Sequence, residues 1–163
     1  MFRKRLIKPF NVYLLILLIS ISVYLNFEPN FPNLSLTLYI FIHLLMIYIL
    51  IYYFHFSLYL LFFFIGIIFD IYISNEIGPH LISFMLLIPF VNYIKKFFAT
   101  FSPFKVLILV FIILLSVLFV EMIFYKLLFN LEFNFIFFYK SILILFIFIF
   151  PVNYLFNKID KIN

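Results

Sequence analysis

Long apolar runs separated by short polar stretches make up nearly the whole chain. The polar stretches contain Pro, Asn, Ser or Lys, and the first three are typical of turns. Because a spanning helix needs about 20 mostly apolar residues, the pattern predicts six transmembrane helices. We expect them at residues 10–27, 34–52, 56–73, 79–94, 106–127 and 133–150.

The second and third predicted helices come from one apolar run, 34–73. This run is about twice as long as one span needs, so it must fold back. The polar stretch YFHFS, Tyr53 to Ser57, is the predicted turn. For the first run, a cleaved signal peptide is the competing interpretation, but no small-x-small cleavage site follows that run.

Composition places the chain in a membrane. It is 69% apolar and 10% charged, with a mean hydropathy of +1.32, whereas soluble domains carry roughly 25% charged residues. No run shows the roughly ten-residue alternation of an outer-membrane strand. The predicted fold is therefore an all-α polytopic membrane helix bundle, with residues 1–163 forming a single integral membrane domain. Without cysteine, it has neither a disulfide framework nor a thiolate metal site.

Basic residues predict the orientation of the bundle, because cytoplasmic loops carry an excess of Lys and Arg. With both termini cytoplasmic, only Lys126 and Lys140 fall in the outer half. The basic N-terminus is interpreted as a topology determinant that touches anionic headgroups, in preference to a tail that binds nucleic acid or a partner protein. The inner side collects the other nine: Arg3, Lys4, Arg5, Lys8, Lys95, Lys96, Lys105, Lys158 and Lys161.

The segment FIGIIFDIYISNEIGPH, Phe64 to His80, contains an aspartate, a glutamate and a histidine within very apolar sequence. Gly66, Asp70 and Ser74 recur every four residues and so share one helix face, where small residues let another helix approach closely. His80 follows the turn and is expected near the height of Asp70. We favour an interhelical structural role for Asp70; contact with a partner protein and ligand or proton binding stay open.

Other polar residues fall inside the remaining predicted helices. Glu121 and Lys140 lie at similar distances from the turn near Asn130, so we predict that they form an ion pair between neighbouring helices. Lys140 snorkelling to the outer interface is the alternative. His43 is interpreted as a hydrogen-bonded packing residue, and Pro89 is expected to kink the fourth helix.

Catalytic motifs are lacking in the sequence. It contains no H-E-x-x-H, no G-x-S-x-G and no phosphate-binding glycine loop. The three histidines stand on different segments, so their spacing predicts no metal site. We therefore expect neither enzymatic activity nor a cofactor.

The pair GIIFD and IGPH resembles the MreD family of bacterial rod shape-determining membrane proteins. The resemblance rests on Gly66, Asp70 and Gly78, with His80 close by, and on chain length and span layout. It implies a non-enzymatic inner-membrane component of the peptidoglycan elongation machinery, which regulates cell shape. The implied partners are MreC, the actin-like MreB, the glycosyltransferase RodA and a penicillin-binding transpeptidase. Asp70 and its stripe would then hold the third and fourth helices together and shape a surface for these partners.

A small-molecule carrier is the alternative from another functional class. The size and topology also resemble the six-helix substrate-binding subunit of an energy-coupling-factor vitamin transporter. Such a subunit needs polar groups that converge on a cavity. Asp70, His80, Glu121 and Lys140 are the candidates for that role.

Overall fold

The computed structural model describes residues 7–27, 32–98, 103–130 and 134–161. In this part of the chain the secondary structure consists of six α-helices, with no strand, which confirms the all-α prediction there. The helices are α1 (Ile7–Phe27), α2 (Pro32–Tyr53), α3 (Ser57–Ser74), α4 (Pro79–Phe98), α5 (Pro103–Phe129) and α6 (Phe135–Lys161).

Four of these helices are long and apolar enough to cross a membrane: α2, α3, Phe104–Phe129 of α5 and Phe135–Phe156 of α6. The chain is therefore a membrane protein. α1 holds a shorter apolar stretch, Phe10–Asn26, and α4 carries Lys95 and Lys96 in its last turn. The count of six spans and the orientation stay predictions, and Arg3, Lys4 and Arg5, on which the orientation partly rests, lie outside the described residues.

Two asparagines end helices in the left-handed conformation. Asn75 follows α3 with φ 57° and Asn130 follows α5 with φ 53°. Each donates its N–H to the carbonyl four residues earlier, at 3.1 and 3.0 Å. Asparagine tolerates this backbone better than most residues with a side chain. Asn134 directly precedes α6, and its Oδ1 accepts the N–H of Phe137 at 2.9 Å, as expected of an N-cap residue.

The last helix runs further than the predicted span. α6 passes through Pro151 and continues to Lys161, so most of the predicted polar tail is helical. A proline inside a membrane helix is tolerated where neighbouring groups satisfy the freed backbone. A helix can also extend beyond the hydrocarbon layer, so the span bounds at 133–150 stay a prediction.

The chain divides into two compact units. One comprises residues 1–53 and 140–163, and the other comprises 54–139. α1 packs against α2 in the first unit, while α4 packs against both α3 and α5 in the second. The single membrane domain expected from the sequence stays a prediction.

An aromatic cluster around Tyr13 joins three segments of the first unit. The Tyr13 ring lies 5.2 Å from that of Tyr48, 5.4 Å from Tyr53 and 5.5 Å from Phe156. Its hydroxyl donates to the Phe156 carbonyl at 3.1 Å. Buried tyrosines usually find such a partner for the hydroxyl. This residue thus ties α1 to both α2 and the C-terminal part of α6.

We expect Tyr13→Phe to destabilise the first unit by about 1 kcal/mol, because it removes one buried hydrogen bond and keeps the ring. The thermal midpoint of the purified protein in detergent measures this. Tyr154→Phe is the matched control, since Tyr154 lies in the same unit and is 71% exposed. Equal midpoints for the two variants would contradict a role for the Tyr13 hydroxyl.

Candidate functional site

α3 and α4 form an antiparallel hairpin in the second unit. Near the turn, Gly66 faces the backbone of Leu81. At the other end, Lys95 Nζ lies 4.0 Å from the centre of the Phe54 ring, which is a cation–π contact. The hairpin therefore pairs the end of α3 with the beginning of α4.

Gly66 permits the close approach of the two helices. A Cβ at this position would lie 2.7 Å from Leu81 Cα and 3.1 Å from its backbone nitrogen. These are backbone atoms, so they cannot give way without moving α4. The absence of a side chain at Gly66 thus brings Asp70, one turn further along α3, to the first turn of α4.

The Asp70 carboxylate accepts four hydrogen bonds. Oδ2 accepts the backbone N–H groups of Gly78 at 2.8 Å and Leu81 at 3.0 Å. Oδ1 accepts the backbone N–H of His80 at 2.9 Å and its ring Nδ1–H at 2.8 Å. Asp70 is fully buried, and two carboxylate oxygens offer about four acceptor positions. Its hydrogen-bonding capacity is therefore used up inside the hairpin.

These bonds cap α4 from a neighbouring helix. The first N–H groups of a helix have no partner within it, and α4 makes its first helical bond from Ile82 N–H to the Gly78 carbonyl at 2.9 Å. Pro79 has no N–H, and the others before Ile82 all donate to Asp70. A negative charge also interacts favourably with a helix N-terminus. Asp70 is therefore a long-range N-cap.

The His80 ring extends this arrangement to α5. Because the carboxylate only accepts, the geometry assigns the hydrogen to His80 Nδ1. The ring is buried, with its centre 5.6 Å from those of Phe69 and Tyr125, and Tyr125 Oη lies 3.4 Å from Nδ1. Sequence reasoning missed Tyr125. The available signal was its position four residues after Glu121, which puts both on one face of α5.

Ser74 and Gly78 have different parts in the same turn. Ser74 Oγ lies 2.8 Å from the carbonyl oxygens of both Asp70 and Glu76, so its single hydrogen is shared between them. A Cβ at Gly78 would meet Leu128 Cδ1 at 2.6 Å, but that atom ends a flexible side chain. Gly78 thus acts through its N–H more than through its lack of a side chain. All five residues predicted for the site lie at this hairpin; a contact with a partner stays a prediction.

Three other predicted residues lie outside the hairpin. Glu121 is buried and belongs to the second unit, whereas Lys140 is exposed and belongs to the first; their ion pair stays a prediction. His43 is buried, with its Nδ1 2.8 Å from the Tyr39 carbonyl and its ring 4.3 Å from that of Tyr39. These contacts agree with a packing role for His43.

The hydrogen bonds that Asp70 accepts from the first turn of α4, together with the close approach at Gly66, form a structural joint between α3 and α4. Asp70 and the His80 Nδ1–H are engaged with each other or with backbone. Within the described ranges, no three His, Asp or Glu side chains are grouped so that they could hold a metal ion. Comparison of the chain with protein-family models, curated proteins and solved structures finds no match. The interpretation of the site therefore rests on its geometry.

We expect Asp70→Asn to destabilise the protein by about 2–5 kcal/mol, because the amide nitrogen cannot accept and leaves buried N–H groups unpaired. Thermal unfolding in detergent measures the loss. Glu76→Gln makes the same chemical change at an exposed position of the same turn and should have little effect. Equal midpoints for the two variants would show that the cap contributes nothing to stability.

The two glycines provide a second matched comparison. Gly66→Ala should destabilise by about 1–3 kcal/mol, as overpacking does, because its methyl group meets backbone. Gly78→Ala should cost less, since the Leu128 side chain can move aside. The same unfolding measurement ranks them, and a larger loss at Gly78 would contradict the close approach at Gly66.

Proposed function

We propose that the chain is a non-enzymatic scaffold protein of the MreD type, which regulates cell shape as part of the peptidoglycan elongation machinery. The observation that carries this proposal is the saturated carboxylate of Asp70. A ligand-binding or catalytic carboxylate needs free acceptor positions, whereas a scaffold needs a rigid contact between helices. All four hydrogen bonds to Asp70 come from within the hairpin.

The residues that carry the family resemblance support the same proposal. Gly66 sets the helix separation, Asp70 caps α4, and Gly78 and His80 donate to Asp70. A motif that is scattered over 15 residues thus has one physical task. We propose that this task is to hold α3 and α4 in the arrangement that partner proteins recognise.

The proposed setting is the bacterial inner membrane, with six spans and both termini cytoplasmic. α1 to α6 supply the six candidate segments. Lys95 and Lys96 end α4, away from the Asp70 turn, so this orientation puts the turn in the outer half and the two lysines inside, in keeping with the positive-inside rule. The proposed partners are MreC, MreB, RodA and a penicillin-binding transpeptidase.

The carrier alternative has less support. It needs polar side chains that face an accessible cavity. Asp70 and His80 are buried and bonded to each other, and Lys140 is exposed. Of the four side chains considered for a vitamin site, these three already have surroundings that suit a structural or interfacial role.

Affinity capture from the native membrane tests the proposed function. We expect wild-type protein to recover MreC-like and RodA-like proteins. Asp70→Asn and Gly66→Ala should reduce that recovery, because both disturb the joint. Glu76→Gln controls for charge and Tyr13→Phe for a loss of stability elsewhere, and neither should reduce it.

One outcome would overturn the proposed function, and another would overturn the proposed role of the joint. Recovery of an ATPase pair, or of a bound vitamin-like molecule, would assign the chain to transport. Equal recovery of elongation proteins by Asp70→Asn, Gly66→Ala and wild type would show that the joint has no part in partner binding.

A further inference from the structure

Three lysines lie at one end of the second unit. α4 carries Lys95 and Lys96 in its last turn, and Lys105 is the third residue of α5, which begins at Pro103. α4 packs against α5, and only residues 99–102 separate the two helices. Packed helices with so short a connection are antiparallel, so the end of α4 and the beginning of α5 lie together. These three lysines form the basic end of the unit.

The acidic side chains of the same unit lie elsewhere. Among its described residues the carboxylates are Asp70, Glu76 and Glu121. Asp70 and Glu76 belong to the opposite end of the α3–α4 hairpin, and Glu121 lies about 24 Å from Lys105 along α5. The basic end therefore carries positive charge that none of these three carboxylates neutralises.

Two of the ammonium groups lie against the faces of aromatic rings. Lys95 Nζ lies 4.0 Å from the centre of the Phe54 ring, and Lys96 Nζ lies 4.5 Å from that of Tyr93. A cation–π contact positions an ammonium group and leaves its charge in place. Lys96 and Lys105 are also exposed. An anion can therefore approach the basic end from outside the unit.

Exposed aromatic side chains stand beside the lysines. Tyr93 is 67% exposed and precedes the two lysines of α4, and Phe104 is 64% exposed and directly precedes Lys105. Phe90, about one turn before Tyr93, is also exposed. Tyrosine is enriched where membrane helices meet the lipid head groups. The surface thus offers apolar side chains next to ammonium groups, and a molecule with a phosphate and hydrocarbon tails complements both.

We propose that the basic end binds the head group of an anionic phospholipid, with the phosphate among the three lysines and the acyl chains along the exposed aromatic side chains. A dissolved phosphate ion would contact the lysines alone and leave Tyr93 and Phe104 uncovered, which favours a lipid over a free anion. The proposal is independent of the scaffold function, because it uses none of the residues of the joint between α3 and α4.

Native mass spectrometry of the full-length protein in detergent tests this proposal. Phosphatidylglycerol and phosphatidylcholine with identical acyl chains are titrated separately, and the ratio of their apparent Kd values is the readout. We expect phosphatidylglycerol to bind more tightly by about tenfold or more, because each lysine near an anionic head group contributes about fivefold. Inorganic phosphate at the concentration of the lipid should not displace it. Raising the ammonium acetate concentration should reduce the preference, because salt screens exposed charges.

Matched lysine variants locate the binding surface. Lys95→Gln and Lys105→Gln should each lower the phosphatidylglycerol affinity about fivefold, whereas Lys95→Arg keeps the charge and should keep the affinity. Lys126→Gln makes the same chemical change near the other end of α5 and should bind as wild type does. The thermal midpoint of each variant in phosphatidylcholine checks that it is folded.

The proposal would be overturned by equal affinities for the two lipids, by displacement of the lipid with inorganic phosphate, or by an equal loss in Lys126→Gln. An unchanged affinity in the double variant Lys95→Gln with Lys105→Gln would also overturn it. Carbodiimide cross-linking in native membranes joins lysines to protein carboxyl groups, so a protein joined to Lys105 would assign the surface to a partner instead. The double variant should lose the lipid preference and still capture the elongation proteins, which separates this proposal from the scaffold function.

Discussion

The backbone N–H groups at the start of α4 need acceptors in an environment that offers little water, and the structure of the second unit depends on how they find them. An N–H that is buried away from water and left unpaired costs free energy. Asp70 accepts the N–H groups of Gly78, His80 and Leu81, so it can do this in only one register of α3 against α4. The glycine one turn earlier makes that register sterically possible. Capping and close packing thus select the same arrangement.

The joint between α3 and α4 also contacts α5 through the His80 ring. The ring of His80 is fixed by its bond to Asp70 and meets the ring of Tyr125 edge to face, at an interplanar angle of 82°. An aromatic pair in this geometry contributes beyond its buried area. Three helices are therefore held together around one carboxylate. Such a rigid, internally satisfied centre suits a protein whose surface must keep its shape for others to bind, which is the basis of the scaffold proposal.

Two buried polar residues of α4 differ in what they bind. His80 and Ser83 stand one turn apart, both buried, yet the backbone N–H and ring Nδ1 of His80 are bonded to Asp70, while the Ser83 hydroxyl has no partner in the described residues. The backbone N–H groups of the first turn of α4 are thus engaged inside the hairpin.

The sequence by itself determined the helical class, the membrane setting and the grouping of Gly66, Asp70 and Ser74 on one face, because run length and four-residue spacing are local properties. Only the tertiary structure decided what Asp70 binds, since its donors are mostly backbone N–H groups, which no side-chain pattern marks. The spacing of apolar residues could not show which face of each helix is buried either. Residues 42–50 of α2 are all buried, while many equally apolar residues elsewhere are exposed. Lipid and protein interior both favour apolar side chains, so the apolar pattern does not distinguish buried from lipid-facing residues. Which residues are buried depends on how the helices pack.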